Sequence, residues 1–558
     1  MRDGRILVRP RSSWLPWLAF AGIAVTAANL LVLKTGRGLT FYYDEWAFLL
    51  RRRGDSLDVF LRPHGEHLSA VPIAIYKAML GVFGLEYRPY QWMLMVFLIG
   101  LAALVYVYGR PRVGPWAALM PVLAILFGGS FWEDTMWPFQ IGFIGALACG
   151  VGAFIALDRH SARGDMVACA LLILAVAQAS VGLPFLAGVA FELVLRRDWR
   201  RLWVVALPVA LYAAWKLAYP SSDIRRENIR KTPDYVYEAA AGAAGSIFGL
   251  DRAAGKILLW AGLGLLVDAC IRGRASIRIW ALGATAVAFW TAAALARAQL
   301  GAPDVSRYLL PGATLLMLMV LEGARGLRPN RTLALVLIAL VPILYSHGKD
   351  VLEAGAATTI TTYSPFLQDD YKALQLIRPH LRIDPKTWQL DAQRAPDIDV
   401  ASYYSLIDSF GDPAPSFDSV INSPPAPRAN TDGVMLVGSG TAMQASTAPS
   451  PMPAQPPQIA TRYWADGTPE DGCIRGSPAG GGANPFIEVQ IPPEGIRFSP
   501  RGALLHAGVR MFGDDPFYFG ATEPGKWYSI KTPPVKSPKP WLAHFDFVTD
   551  PVTICIGG

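Results

Sequence analysis

Along residues 1–346, long apolar stretches alternate with short charged loops, whereas residues 347–558 contain no apolar run of comparable length. A helix needs about 20 apolar residues to cross the ~30 Å hydrocarbon core of a bilayer. Runs near that length lie at 14–34, 91–109, 114–129, 139–157, 202–219, 255–271, 278–296, 308–323 and 331–346. Two shorter runs, 166–179 and 182–195, meet at Ser180-Val181-Gly182 and read as two thin spans or one re-entrant pair. The pattern predicts nine spans, or about eleven if the short pair crosses. The number is odd in either case, so the two ends of this region face opposite sides.

The second part has a different rhythm. Short alternating runs at 434–437, 486–491, 503–511, 517–519, 527–530, 545–548 and 552–554 are punctuated by Gly and Pro, the pattern of a β-sandwich. Pro/Ser/Ala-rich stretches at 411–433 and 444–458 read as extended spacers. The predicted organisation is a polytopic α-helical membrane domain over 1–346 and a mostly-β domain over 347–558.

Composition sharpens this. Hydrophobic residues make up 53% of the chain and charged ones 17%, against about 25% charge in ordinary soluble domains. That excludes intrinsic disorder, a nucleic-acid binder and a plain cytosolic enzyme. The net charge of +8 is concentrated in particular loops. Arg2, Arg5, Arg9 and Arg11 precede the first span; Arg110/Arg112, Arg159/Arg163, Arg196/Arg197/Arg200/Arg201, Arg272/Arg274/Arg278 and Arg325/Arg328/Arg331 fill every second loop. Short cytoplasmic loops carry the Lys/Arg excess, so the N-terminus is expected inside and the C-terminal domain outside. No small-residue cleavage site follows the first apolar run, which argues against a signal peptide.

The loops assigned to the outside hold the chemistry. The first, 35–90, opens on Phe41-Tyr42-Tyr43-Asp44-Glu45-Trp46 and continues to His64-Gly65-Glu66-His67, followed by an amphipathic stretch over 68–84. The second contains Trp132-Glu133-Asp134, and a later one ends in Ser306-Arg307-Tyr308 at the mouth of a span. Adjacent carboxylates supply a general base or oxygen ligands for a divalent cation, and each raises the pKa of the other. Their bland reading is acids tolerated in an aromatic interfacial belt. His64 and His67 lack the further ligands of a zinc site, so sugar or phosphate binding, or orientation of the Asp44 carboxylate, is the better reading. Arg307 suits a lipid phosphate, or else is a snorkelling anchor. Arg225 and Arg226 place cations on the side where the topology rule does not require them, which fits an anionic headgroup or simply a solvated loop. No residue set identifies a permanent metal site.

Taken in order, these features resemble the GT-C superfamily of membrane glycosyltransferases, and the layout is similar to that of actinobacterial cell-wall arabinosyl- and mannosyltransferases. The features are the Asp44-Glu45 loop with its surface helices, the acidic Glu133-Asp134 loop, the late Arg307-Tyr308 and the outer soluble domain. The resemblance implies a polyprenyl-phosphate sugar donor, a glycan or lipid acceptor and a bacterial plasma-membrane location. It assigns the catalytic base to Asp44, with Glu45 its neighbour or alternate, donor contacts to Arg307, and a second acid to Glu133 or Asp134. Trp-Glu-Asp departs from the Asp-x-Asp of the metal-dependent branch, which leaves the need for a divalent cation open. A transporter of lipid-linked sugars, or an envelope scaffold with a glycan-binding domain, are the alternatives.

Two further expectations concern the outer domain. Cys473 and Cys555 are its only cysteines and would lie in an oxidising compartment, so they are expected to pair; Cys149, Cys169 and Cys270 sit in apolar runs. Trp464, Trp527, Tyr528 and Trp541 are the candidates for stacking on a sugar.

Overall fold

The computed structural model describes residues 14–222, 224–273, 275–326, 331–480, 484–502, 506–546 and 551–557. Arg2, Arg5, Arg9, Arg11, Arg274 and Arg328 of the basic loops, and residues 503–505 and 547–548 of the expected strands, lie outside the described residues. The chain forms two compact units. One takes the residues up to Arg37 and Arg51–Ile360; the other takes Gly38–Leu50 and Thr361–Gly558.

The first unit is helical. Among the described residues, six helices are long and apolar enough to cross a membrane: Leu15–Thr35, Tyr87–Val113, Pro138–Leu157, Trp199–Ala218, Arg252–Ile271 and Ile277–Leu300. Between and after them run Leu119–Phe127, Ala162–Gln178, Leu183–Leu195 and Ser306–Gly323. The run at 166–195 is two helices separated by one 3-10 turn at Ser180–Gly182. Small residues set the closest approaches. A Cβ on Gly188 would fall 1.8 Å from the Thr285 hydroxyl, and one on Gly255 would fall 1.9 Å from the Ala241 carbonyl. The second contact belongs to a helix, Thr232–Ser246, that hydropathy alone does not mark. Its buried residues are Tyr235 and Ala239–Ser246, the latter all Ala, Gly and Ser, which pack closely while adding little apolar bulk.

Five helix ends are tied together by a buried ionic network. Arg112 pairs with Asp158 at 2.9 Å and with Glu322; Arg278 pairs with Asp158 at 2.9 Å and with Glu192 at 2.6 Å. Tyr108 and Ser276 each donate to Glu322 at 3.0 Å. Buried charges are tolerated when paired and hydrogen-bonded in this way. The ends joined are those that the alternating charge pattern puts on one side.

The amphipathic stretch after His67 forms the helix Ala70–Phe83, but it buries Pro72, Ile73, Tyr76 and Leu80. Val82 is exposed. Lys77 is held by the carbonyls of Arg52 and Gly54, at 3.2 and 2.6 Å.

In the second unit, a helical layer precedes a sandwich. Tyr371 of the helix Ile360–Ile377 stacks on Tyr403 of the helix Val400–Phe410, with centroids 5.6 Å apart. A hairpin of β1 (Gln389–Asp391) and β2 (Ala395–Asp399) lies between these helices in the chain. The stretch expected to be spacer and strand, 411–437, instead carries two helices, Phe417–Ile421 and Pro425–Gly438. Prolines at 425 and 427 suit the first turn of a helix. Asp432 then fixes that helix by accepting from the N–H groups of Met511, Phe512 and Gly513, at 2.8, 3.0 and 2.9 Å. A long-range contact decides this segment, not its local pattern.

The sandwich is antiparallel throughout. One sheet runs β10 (Phe517–Ala521), β9 (His506–Arg510), β12 (Leu542–Asp546), β7 (Phe486–Gln490), β4 (Ile459–Tyr463). The other runs β3 (Gln444–Ser446), β11 (Trp527–Ile530), β8 (Ile496–Pro500), β13 (Val552–Ile556), β6 (Cys473–Pro478), β5 (Ala465–Glu470). Alternate residues face inward: Ile487, Val489, Ala543 and Phe545 from the first sheet, Phe498, Ile474, Ile530 and Ile554 from the second, all buried. Phe498 meets Phe545 edge-on at 4.9 Å. Cys473 and Cys555, opposite each other on β6 and β13, form a disulfide. Of the stacking candidates, Trp541 is buried and donates to the Pro533 carbonyl at 3.1 Å. Tyr528 stacks on Phe498 at 5.7 Å, and Trp527 is half-buried. Trp464 is exposed.

Candidate functional site

Trp132–Met136 forms a single helical turn, and the helix Ser306–Gly323 starts against it. The Ser306 hydroxyl accepts from the Glu133 N–H at 3.1 Å and donates to the Ser130 carbonyl at 2.8 Å. Glu133 in turn accepts from the backbone N–H of Arg307 at 2.9 Å and reaches the Arg307 guanidinium at 3.4 Å. A carboxylate there satisfies an orphan N–H and meets the positive end of the helix dipole. Asp134, beside it, is fully buried, and among the described residues neither carboxylate oxygen has a hydrogen-bond partner. Burial, helped by the Glu133 charge and opposed by Arg307, pushes its pKa well above the carboxylate range. The two acids of this pair therefore have different jobs.

His64 and His67 face each other in a tight turn, each N–H donating to the other's carbonyl at 3.1 and 3.0 Å. Gly65 supplies the left-handed residue, at φ 56°. The His64 ring packs edge-on against Phe139, and His67 Nδ1 lies 2.6 Å from the hydroxyl of Ser180 in the interhelical turn. Arg52 holds the preceding loop through the carbonyls of Arg62 and Pro63, at 2.8 and 2.7 Å. Among the described residues, no three His, Cys, Asp or Glu side chains converge in a metal-holding group.

His67 and Ser180 border a cavity of about 320 Å³. Its polar rim is Glu66, His67, Tyr212, Lys216, Arg297 and Tyr308, together with Ser180, Ser221 and Ser222. Its walls are apolar and include Phe143, Val181, Leu183 and Phe289. Tyr308 is sandwiched by Phe143, near-parallel at 6.4 Å, and Phe289, edge-on at 6.4 Å. Lys216 donates to Ser221 at 2.9 Å.

Of the residues singled out in the first unit, Glu66, His67 and Tyr308 share this cavity, and Glu133 and Arg307 pair with each other. Arg225 and Arg226 do not line it; Arg225 is 59% exposed, 3.7 Å from Glu227. The cations on the rim are Lys216 and Arg297, which sequence reasoning passed over. Lys216 did leave a signal, as a lone cation near the end of an apolar run.

Asp44 and Glu45 belong to the second unit, at the start of the helix Asp44–Arg51. Tyr43 before them sits at φ 48°, its N–H donating to the Arg394 carbonyl at 3.1 Å. Glu45 is fully buried and turns back to accept from the Tyr42 N–H at 2.9 Å, a capping interaction. Trp46 donates to the Tyr371 hydroxyl at 3.1 Å and to the Phe41 carbonyl at 3.2 Å. Asp44 is half-buried. Of this pair, Glu45 serves the fold and Asp44 is the accessible carboxylate.

No family model matches the chain, and no curated protein matches it. Among solved structures it is similar to ArnT from Cupriavidus metallidurans bound to undecaprenyl phosphate, with a TM-score of 0.42 and 14% identity over 67% of this chain and 82% of that one.

Proposed function

We propose that the chain is a membrane glycosyltransferase, moving a sugar from a polyprenyl-phosphate donor to a hydroxyl of a cell-envelope glycan or lipid at the outer face of a bacterial plasma membrane. The observation that carries this reading is the cavity of the first unit, which has two cations, Lys216 and Arg297, and one carboxylate, Glu66, among its polar groups and apolar walls. An isoprenoid phosphate has the matching profile. Its chain prefers the apolar lining, while its head must be paired once it leaves water.

Lys216 and Arg297 are assigned to the donor phosphate, where they offset the negative charge that builds as the glycosyl–phosphate bond breaks. Tyr308 and His67 orient the head and the first sugar. Asp44, which belongs to the second unit, is assigned as the base on the sequence resemblance alone. The acceptor oxygen attacks the anomeric carbon, its proton passes to the Asp44 carboxylate, and the polyprenyl phosphate leaves with the bonding pair. One displacement inverts the anomeric centre. A second reading has its own observation: Glu66 is the carboxylate on the cavity rim, and in that reading it takes the proton.

A transporter would place ionisable groups along a path through the span centres. Here the buried ion pairs lie at helix ends and tie five helices together, which opposes rocking of one half against the other.

Native mass spectrometry of the detergent-purified chain with undecaprenyl phosphate tests the site. The reading expects a bound lipid whose occupancy falls in Lys216→Gln and Arg297→Gln. Equal occupancy in wild type and both variants contradicts it.

A further inference from the structure

The second unit carries a cavity that the proposed reaction does not use. It measures about 530 Å³ and opens where three segments meet: residues 379–382, the end of the helix Pro425–Gly438, and the region of β3 and β11. Its lining includes His380, Arg382 and Lys531 and contains no carboxylate. Among the described residues, none of these three side chains makes a hydrogen bond or ion pair. Arg382 and Lys531 are exposed; some other cations of this unit are paired, Arg378 with Asp408, Arg394 with Asp391, Arg428 with Asp514 and Arg510 with Glu488. Two guanidinium- or ammonium-bearing side chains facing one cavity without a counter-charge form a site for an anion.

The helix end beside them does not account for the cations. Its last carbonyls are already taken: Gly438 accepts from Arg382 and Ile383, at 3.0 and 3.4 Å, Val437 from Gly440 at 2.9 Å, and Leu436 from Thr441 at 2.9 Å. Gly440, at φ 62°, closes that end, and the Arg382 stem runs 3.6 Å from where a Cβ on Gly440 would lie.

The rest of the lining is polar and neutral. The hydroxyls of Ser439 and Thr441 are 2.8 Å apart, and Ser529 stands opposite Gln444 in the β11–β3 register. Pro379, Pro533 and Pro534 stiffen the walls. The volume exceeds what a bare phosphate needs and falls in the range of about 300–1,000 Å³ typical of small-molecule sites. We infer that this cavity binds an anionic saccharide, a sugar carrying a phosphate or a carboxylate, with Arg382 and Lys531 on the charge and Ser439, Thr441, Ser529 and Gln444 on the hydroxyls. The site is independent of the transfer reaction.

Calorimetric titration of the full purified chain, with four probes, tests it: glucose 6-phosphate, glucuronate, glucose and inorganic phosphate. At least one charged sugar is expected to bind ten-fold or more tighter than both glucose and inorganic phosphate, and to weaken as salt rises. The tighter of the two charged sugars identifies the anionic group. The Arg382→Gln/Lys531→Gln double variant should lose ten-fold or more, Lys531→Arg should retain binding, and Lys216→Gln in the other unit should leave it unchanged. The proposal is overturned if glucose binds as well as the charged sugars, if inorganic phosphate matches them (an adventitious ion only), if no probe binds, or if binding survives the double variant or vanishes in Lys216→Gln.

Discussion

The carboxylate of Glu133 caps the helix that begins at Ser306, accepting from the Arg307 N–H at 2.9 Å while its other oxygen lies 3.4 Å from the Arg307 guanidinium. One side chain thus makes two bonds of unlike strength. The N–H bond persists whatever residue occupies position 307, whereas the charge pair is lost with the arginine. Glu133→Gln, or more severely Glu133→Ala, is expected to destabilise the first unit by about 1 kcal/mol through the cap. Arg307→Gln should cost less, since its contact with Glu133 is long, at 3.4 Å, and the Arg307 side chain is partly open to solvent. Thermal melts of the purified variants check the order. Arg307→Gln melting well below Glu133→Ala would reverse it.

The cavity rim makes a specific distinction among cations. Lys216→Gln and Arg297→Gln should each weaken undecaprenyl phosphate binding about ten-fold, the scale of one charge-assisted contact of ~1.4 kcal/mol. Arg225→Gln and Arg226→Gln, at positions off the cavity, should change it less than two-fold. The reverse pattern would move the phosphate to the 225–231 loop.

The disulfide closes a long loop, with 82 residues separating Cys473 from Cys555. Loop-closure entropy puts its contribution near ~4 kcal/mol. Reduction, or Cys473→Ala with Cys555→Ala, should lower the melting temperature of the second unit and leave that of the first unchanged. Equal melting with and without reductant would show that the bond contributes little.

The second unit should also lose stability as pH rises. Burial lifts the Asp369 carboxyl to about 7, opposed by its bond to Ser423 and the Arg428 charge. A carboxyl raised above its unfolded value of about 3.9 binds more protons in the folded state, so its penalty is absent below that value and grows as pH climbs toward 7. Asp369→Asn should flatten the melting temperature between pH 4 and 7, and the gain over wild type should be larger at pH 7. A variant that tracks the wild type across that window would remove Asp369 as the cause.

Much of the architecture is legible from periodicity. Apolar runs mark the long helices, and the every-second-loop arginines correspond to helix ends that Arg112 and Arg278 join. From 486 onward most β-strands follow their alternation, but β8 (Ile496–Pro500) has no expected run. What escapes has a common cause, which is information held in distant partners. The Thr232–Ser246 helix is defined by close packing of Ala and Gly. Residues 434–437 look like a strand locally, yet Asp432 commits them to a helix through three N–H groups some eighty residues away. The site divides similarly. Acidic pairs are visible as motifs, but only tertiary structure separates a capping Glu45 from an accessible Asp44, or brings Lys216 and Arg297 to one rim.

The central claim is sugar transfer with Asp44 as the base. Its most direct measurement is transfer from a panel of polyprenyl-phosphate hexoses and pentoses to envelope glycan, in proteoliposomes holding wild type, Asp44→Asn or Glu66→Gln at matched levels. The account predicts transfer by the wild type from at least one donor. For Asp44→Asn it predicts a loss of 100-fold or more, a general base contributing about 10²–10⁴, with undecaprenyl phosphate still bound. Unchanged transfer by Asp44→Asn would contradict the assignment, and a matching loss confined to Glu66→Gln would hand the role to the carboxylate on the cavity rim.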